Sequence, residues 1–281
     1  MRLLLPIFLF LVSFTISAQE ENSLLWEISG NGLEQPSYLY GTMHVSKKIA
    51  FRLDDVFYDA LLSSDVVALE SDPATWLEED ARRESSRGRR NIYVPKGFYA
   101  NSFIVHNPKK EQLGAYLAFE DRMLNGLLYR SDANAENFEE ETYLDMFIYQ
   151  AGRKFNKPIV ALEDNVEAGI LVGRANLNPM KQKPDEWLQK KLQQKGMFNL
   201  RQDAYRERNI SFLDSLDEGM HTQYYLKNML HIRNRNMVVK LDSVMRHKKV
   251  FAGIGAAHLP GKKGAIEMLR EMGYTVKALT S

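Results

Sequence analysis

Asp65-Val66-Val67-Ala68-Leu69-Glu70 and Ile159-Val160-Ala161-Leu162-Glu163 are short β-branched runs, each ending on a glutamate preceded by the same alanine and leucine. Runs that are apolar at consecutive positions, and too short for a helix, are the pattern of strands buried on both faces of a parallel sheet. Two more strand-like runs end on a histidine with a glycine three places before it: Gly41-Thr42-Met43-His44 and Gly255-Ala256-Ala257-His258. In the first half of the chain the histidine precedes the glutamate; in the second it follows.

Outward from these four runs the chain reads as strands separated by helical crossovers. Leu24–Gly30 and Ser37–His44 flank a segment rich in turn formers, which predicts a hairpin. Val56, Phe57, Ala60 and Leu61 recur at helical spacing within Leu53–Leu62, ahead of the first glutamate run. Glu141–Phe155 is amphipathic and is ended by Pro158, while 185–248 reads as mostly helical. The C-terminus reads as strand Val250–His258, loop Leu259–Gly264, helix Ala265–Met272 capped by Gly273, and strand Tyr274–Leu279. The expected fold is α/β: a mixed, mostly parallel central sheet flanked by helices. The helical stretches are longer than crossovers need, so an insertion or cap is expected within 74–157 and 175–248.

The first residues are apolar from Leu3 to Ile16 after a single Arg2, then turn to Ser17-Ala18-Gln19-Glu20. This is the layout of a signal peptide at 1–18, cleaved after Ala18, ahead of a single domain at 19–281. An uncleaved anchor is the alternative, but a span needs about 20 apolar residues, and Pro6 interrupts this run. The expected place is therefore the periplasm or the cell exterior, with no stable membrane span after cleavage. The 281 residues carry 37 basic and 36 acidic side chains; losing Arg2 balances them, which argues against nucleic acid as a partner. The basic cluster Arg82–Arg90 then reads as a solvated helix end. There is no cysteine, which excludes a disulfide scaffold and a thiol nucleophile. No Gly-x-Ser-x-Gly elbow occurs, and the glycines at 253, 255, 261 and 264 lack dinucleotide spacing.

In a parallel sheet, ligands bind outside the carboxyl ends of the strands. If the four runs are neighbours, His44, Glu70, Glu163 and His258 converge on one edge. Two imidazoles and two carboxylates suit a divalent ion such as zinc, manganese, iron or cobalt, with a carboxylate outside the ligand set serving as general base. Taken singly, each residue has a plainer reading, as a solvated strand end or a satisfied core histidine; the paired repetition favours the set.

Tyr40-Gly41-Thr42-Met43-His44-Val45, Val67–Glu70, Lys157–Glu163, Arg233-Asn234-Arg235-Asn236-Met237 and Gly255–Gly264 together resemble the TraB/GumN family. That family is related to the Tiki metalloproteases and more distantly to erythromycin esterases and the ChaN haem-binding lipoproteins. The resemblance covers 24–281 and implies a mixed sheet with a divalent-metal-dependent, peptidase-like site. His44 and His258 match its two motif histidines, Glu70 and Glu163 its glutamates, and Arg233 and Asn234 its arginine–asparagine pair. Arg233 would bind a substrate carboxylate, stabilise an oxyanion, or orient one of the glutamates. Val238 departs from the alanine often found there, and Thr75–Glu140, where substrate selection is expected, contains none of the matching motifs.

The implied function is an exported metal-dependent hydrolase acting on a peptide or small-molecule substrate. The alternatives are a non-catalytic haem-, iron- or peptide-binding protein and a purely structural polar cluster. Made with its own leader in a bacterial host, the chain is expected outside the cytoplasm with Gln19 as its first residue. An intact mass starting at Met1 would mean that the apolar run is kept as an anchor.

Overall fold

The structure, a computed structural model, describes residues 22–43, 53–73 and 144–279. The leader, His44, the basic cluster and most of the first expected insertion lie outside the described residues. Six strands form one sheet: β1 (Leu25–Gly30), β2 (Ser37–Thr42), β3 (Val66–Leu69), β4 (Ile159–Ala161), β5 (Val250–Gly255) and β6 (Tyr274–Leu279). Their order is β4-β3-β5-β2-β1-β6. The first four in that order are mutually parallel, while β1 runs antiparallel to both β2 and β6. The expected mixed, mostly parallel α/β fold is the one present.

The hairpin between β1 and β2 turns through Gly30, Asn31 and Gly32, all at positive φ (78°, 46° and 83°), with Leu33 N–H donating to Gly30 O at 3.0 Å. Glycine and asparagine are the residues that enter this region at least cost. Its register sets Leu25 opposite Tyr40. The Trp26 indole is buried and closes the same end by donating to Ser23 O at 2.9 Å.

The two central strands, β3 and β5, are buried along nearly their whole length, as consecutive apolar runs require. Helix α1 (Asp55–Ser63) is capped by Asp54, whose carboxylate accepts from Phe57 N–H. Its Phe57 ring meets Tyr40 at 4.8 Å and Phe251 at 5.3 Å. Helix α2 (Leu144–Lys154) covers the same sheet face, since Gly253 there faces Ile148 of α2 together with Leu69 and Thr42. Gly41 projects from the other face, against Leu259 and Ala256.

The remaining helices are α3 (Asn165–Ala175), α4 (Glu186–Gln194), α5 (Met197–Arg206), α6 (Ile210–Met220), α7 (Gln223–Leu226), α8 (Ile232–Met245) and α9 (Ala265–Glu271). A π-helical turn, Lys227–His231, joins α7 to α8 without a break. A second small core, Leu188, Leu200 and Leu216, holds α4, α5 and α6 together.

Two expectations need correction. Val250–His258 is not one strand: β5 stops at Gly255, and Ala256–His258 is a single 3₁₀ turn. The shift takes His258 off the pleat and sets the turn against α6, β2 and the π turn. Ile159–Ala161 is not a fully buried strand: β4 is the sheet edge and its three residues are half-buried. The run has the composition of an interior strand, but position in the sheet sets burial.

The loop after the 3₁₀ turn is packed backbone on backbone. A Cβ at Gly264 would lie 2.0 Å from Pro260 O and 2.3 Å from Leu259 O, whereas one at Gly41 would meet the tip of Leu259 at 2.7 Å. Gly264 has φ −79° and ψ 161°, torsions open to alanine, so its constraint is steric. Gly264→Ala is therefore expected to cost about 2–3 kcal/mol or more, and more than Gly41→Ala, measured by denaturant unfolding. Equal costs would mean the loop yields freely.

Candidate functional site

The carboxyl ends of β4, β3, β5 and β2 lie along one edge, in the registers Leu69 with Ala161, Leu69 with Gly253, and Thr42 with Gly255. Backbone pairing runs past β3 and β4: Leu162 N–H donates to Leu69 O at 2.8 Å and Glu163 N–H to Glu70 O at 2.9 Å. Glu70 and Glu163 are thereby held side by side just beyond the sheet.

Arg233, in the first turn of α8, bridges them. Its Nε donates to Glu163 Oε1 at 2.8 Å; its Nη2 donates to Glu163 Oε2 at 2.6 Å and to Glu70 Oε2 at 2.9 Å. Nη1 turns back to Met229 O at 3.2 Å and Met229 Sδ at 3.8 Å. A guanidinium has five N–H donors, and here each points at a protein acceptor. Arg233 is 8% exposed. Burial alone would lower its pKa, but the Glu163 hydrogen bonds and the charges of both glutamates outweigh that and raise it. The second oxygen of Glu70, Oε1, accepts from Gly255 N–H at 2.7 Å. This backbone donor is invisible to any search for polar side chains.

Asn234, next in the chain, serves the histidine. Its Nδ2 donates to Lys263 O at 2.7 Å, and its Oδ1 lies 2.6 Å from His258 Nδ1. A carbonyl only accepts, so Lys263 O fixes the amide orientation and the proton of the neutral imidazole is assigned to Nδ1. Nε2 is then the acceptor nitrogen of the ring, and it lies 3.8 Å from Glu70 Oε1. Glu70, Asn234 and His258 are all buried.

The structure thus brings together Glu70, Glu163, Arg233, Asn234 and His258. His44 lies outside the described residues; β2, which ends at Thr42, reaches the same edge, with Thr42 beside Gly255. Among the described residues no group of three or more histidine, aspartate or glutamate side chains is arranged to hold a metal ion. What they do offer is a donor pair, His258 Nε2 and Glu70 Oε1. Its 3.8 Å separation is one that two ligands of a single ion can span with bonds of roughly 2.0–2.2 Å. The donor chemistry fits a divalent ion, with the described part of the set incomplete.

Two neighbours went unnoticed in the sequence. Thr42 Oγ1 donates to Asp145 Oδ1 at 2.7 Å, which sets a carboxylate from the first turn of α2 against the end of β2. Tyr205 OH donates to Gly41 O at 2.9 Å from the α5 side. An acid in a first helical turn is so common a helix-dipole feature that Asp145 gave no separate signal. His221 belongs elsewhere: it stacks on Tyr225 at 4.0 Å, contacts Pro179 O at 3.0 Å and faces Arg201. Burial lowers its pKa, as for a packed neutral histidine.

A family model described as TraB/PrgY/gumN matches residues 24–93 and 109–278, and so takes in most of Thr75–Glu140, the stretch that holds none of the sequence motifs. The chain is also similar to a protein of Amphimedon queenslandica named "Metalloprotease TIKI homolog", with 22% identity over 320 residues that cover 92% of this chain and 62% of that protein. The chain therefore spans less than two thirds of the length of this relative.

Removing Arg233 would take the bridging guanidinium from two adjacent carboxylates with buried side chains. Arg233→Met is expected to destabilise by about 3–5 kcal/mol. Adding Glu163→Gln should recover part of that loss, because one of the two like charges is gone. A double-mutant cycle by urea unfolding reads the coupling; simple additivity of the two changes would mean that the ion triad contributes nothing as a unit.

Proposed function

We propose, from the premise that this chain belongs to the TraB/PrgY/gumN family, that it is an exported metal-dependent hydrolase of the peptidase type. The observation that carries the reading is the pairing of His258 Nε2 with Glu70 Oε1 across 3.8 Å. Each group is fixed from behind, the imidazole by Asn234 and the carboxylate by Arg233 and Gly255 N–H. Metal-binding histidines characteristically donate their other ring N–H to such an oxygen, which sets tautomer and orientation. The kinship with a protein named as a metalloprotease homolog points the same way.

In this reading His258, Glu70 and His44 hold the ion. When bound, a divalent ion such as zinc, manganese, iron or cobalt acidifies a water and polarises the carbonyl of the bond to be cleaved. Glu163 is the general base. It takes the proton of the attacking water and passes it to the leaving amine, and its two bonds from Arg233 hold it in place. Arg233 is a positioning residue: all its donors are spent inside the protein, and gripping a substrate would mean giving one up. Asn234 positions His258. Two glutamates and one guanidinium leave a net negative charge at the sheet edge, which favours a cation there.

The test is metal content of the mature protein together with chelator-sensitive cleavage of a peptide library. His258→Ala and His44→Ala are expected to lose the metal. Asn234→Leu should weaken metal affinity by about 10- to 100-fold, while Asn234→Asp, which still offers an oxygen to Nδ1, should keep most of it. Folded variants that keep the metal of the native protein would sink the proposal. Metal bound with no peptide turned over would leave a binding protein of the same superfamily.

A further inference from the structure

Helix α3 is apolar almost all round, with Glu167 and Arg174 as its only charged side chains. Helices of that composition are normally covered on every side. Here one side is covered: Leu171 and Ala175 are buried, and the helix packs on the π turn and α7. The other side is open, with Val166 61% exposed, Ile170 51% and Leu177 78%. At 100° per residue, Val166, Ile170 and Gly173 fall within about 60° of one another. Leu177 follows one turn later, its N–H donating to Arg174 O at 3.0 Å. The result is a seam of large apolar side chains with one notch in it, because a Cβ at Gly173 would meet nothing within 4 Å. Apolar surface gathered on one exposed face marks an interaction site.

The charges beside the seam select its occupant. Glu167 and Arg174 are both exposed and lie on the same flank of the seam, about two turns apart. Arg174 is in no ion pair with another described residue, and Glu167 accepts only a surface bond, from Asn236 Nδ2 at 3.1 Å. When two identical helices pack antiparallel about a two-fold axis, like flank meets like flank, and each contact occurs twice. An axis level with Leu171 and Val172 sets Val166 against the partner's Leu177, and Ile170 over the notch at the partner's Gly173. The same axis brings Glu167 within a turn of the partner's Arg174, twice by symmetry. A parallel pair would set this charged flank against the flank of Gly169 and Asn176, which carries no charge. A membrane surface calls for lysine and arginine beside the apolar face, whereas here the two charges cancel.

We propose that α3 is a self-association surface, on which a second copy of this chain packs antiparallel through Val166, Ile170, Gly173 and Leu177. Two symmetric Glu167–Arg174 ion pairs set its register. The helix begins two residues after Glu163, so the dimer is built on an element that leaves the sheet edge. The inference does not rest on the hydrolase reading.

The test is sedimentation velocity of the mature chain over a concentration series. The native protein is expected to pass from monomer to dimer with a dissociation constant on the order of 10–100 µM, as one short helix in a small interface gives. Ile170→Asp, in the middle of the seam, should stay monomeric throughout. Glu167→Arg and Arg174→Glu each place like charges together twice, and each should weaken self-association about tenfold or more. All three positions are exposed, so each variant should melt within about 3 °C of the native chain. An equimolar mixture of the two charge variants should associate again, because opposite charges then meet, and so should the double variant Glu167→Arg with Arg174→Glu. The proposal is refuted if the native chain stays monomeric across the series, or if Ile170→Asp or the single charge variants dimerise as the native chain does. It is refuted equally if neither the mixture nor the double variant recovers what the single charge variants lose. Flotation of a monomeric native chain with phosphatidylcholine–phosphatidylglycerol vesicles, lost in Ile170→Asp, would assign the face to a membrane instead.

Discussion

The site depends on one buried guanidinium held between two carboxylates. Arg233 reaches Glu70 and Glu163 at 2.6–2.9 Å, joining helix α8 to the ends of β3 and β4 at once. Taking three charged groups out of water costs several kcal/mol each before any mutual attraction is counted. The arrangement therefore persists only because every donor and most acceptor positions are used. This makes the triad a clamp on geometry more than a source of stability. If the helix shifted by a fraction of a turn, one carboxylate would lose its partner while still buried.

The clamp also fixes the histidine, through the chain itself. Arg233 and Asn234 are consecutive, so their side chains leave the helix about 100° apart; one reaches the glutamates, the other His258. The π turn Lys227–His231 lies immediately before them. Such turns insert extra rotation into a helix and often occur at functional sites. Here it leads directly into α8, and Met229 inside it receives the last guanidinium donors on its carbonyl oxygen and its sulfur.

Much of this was legible in the sequence, for identifiable reasons. Val66–Leu69 and Val250–Gly255 are apolar at consecutive positions, and they are the central parallel strands. That Glu70, Glu163 and His258 meet follows from those strands being neighbours, a consequence of topology that the repeated endings foreshadowed. What could not be read depended on position in three dimensions. Ile159–Ala161 resembles an interior strand but is the sheet edge. The 3₁₀ turn that carries His258 and the π turn before Arg233 are hydrogen-bond patterns with no residue signature of their own. Whether Arg233 points outward to a ligand or inward to the glutamates is a choice of rotamer, and sequence spacing does not encode it.

Charge distribution joins the site to its surroundings. Over the whole chain acidic and basic side chains nearly cancel, with a formal charge of +1. Around the site lie the triad at the sheet edge and, at Asn234, a cleft lined by Asp214, Glu218, Lys262 and Lys263. The two regions differ in how their acids are held. Glu70 and Glu163 are both bonded by Arg233, which fixes their positions. Asp214 and Glu218 have no such match, and the burden shows in the raised pKa of Asp214. A matched carboxylate is suited to chemistry that needs a constant geometry. The helix end that holds Glu70 and Glu163 through Arg233 also lines the cleft through Asn234.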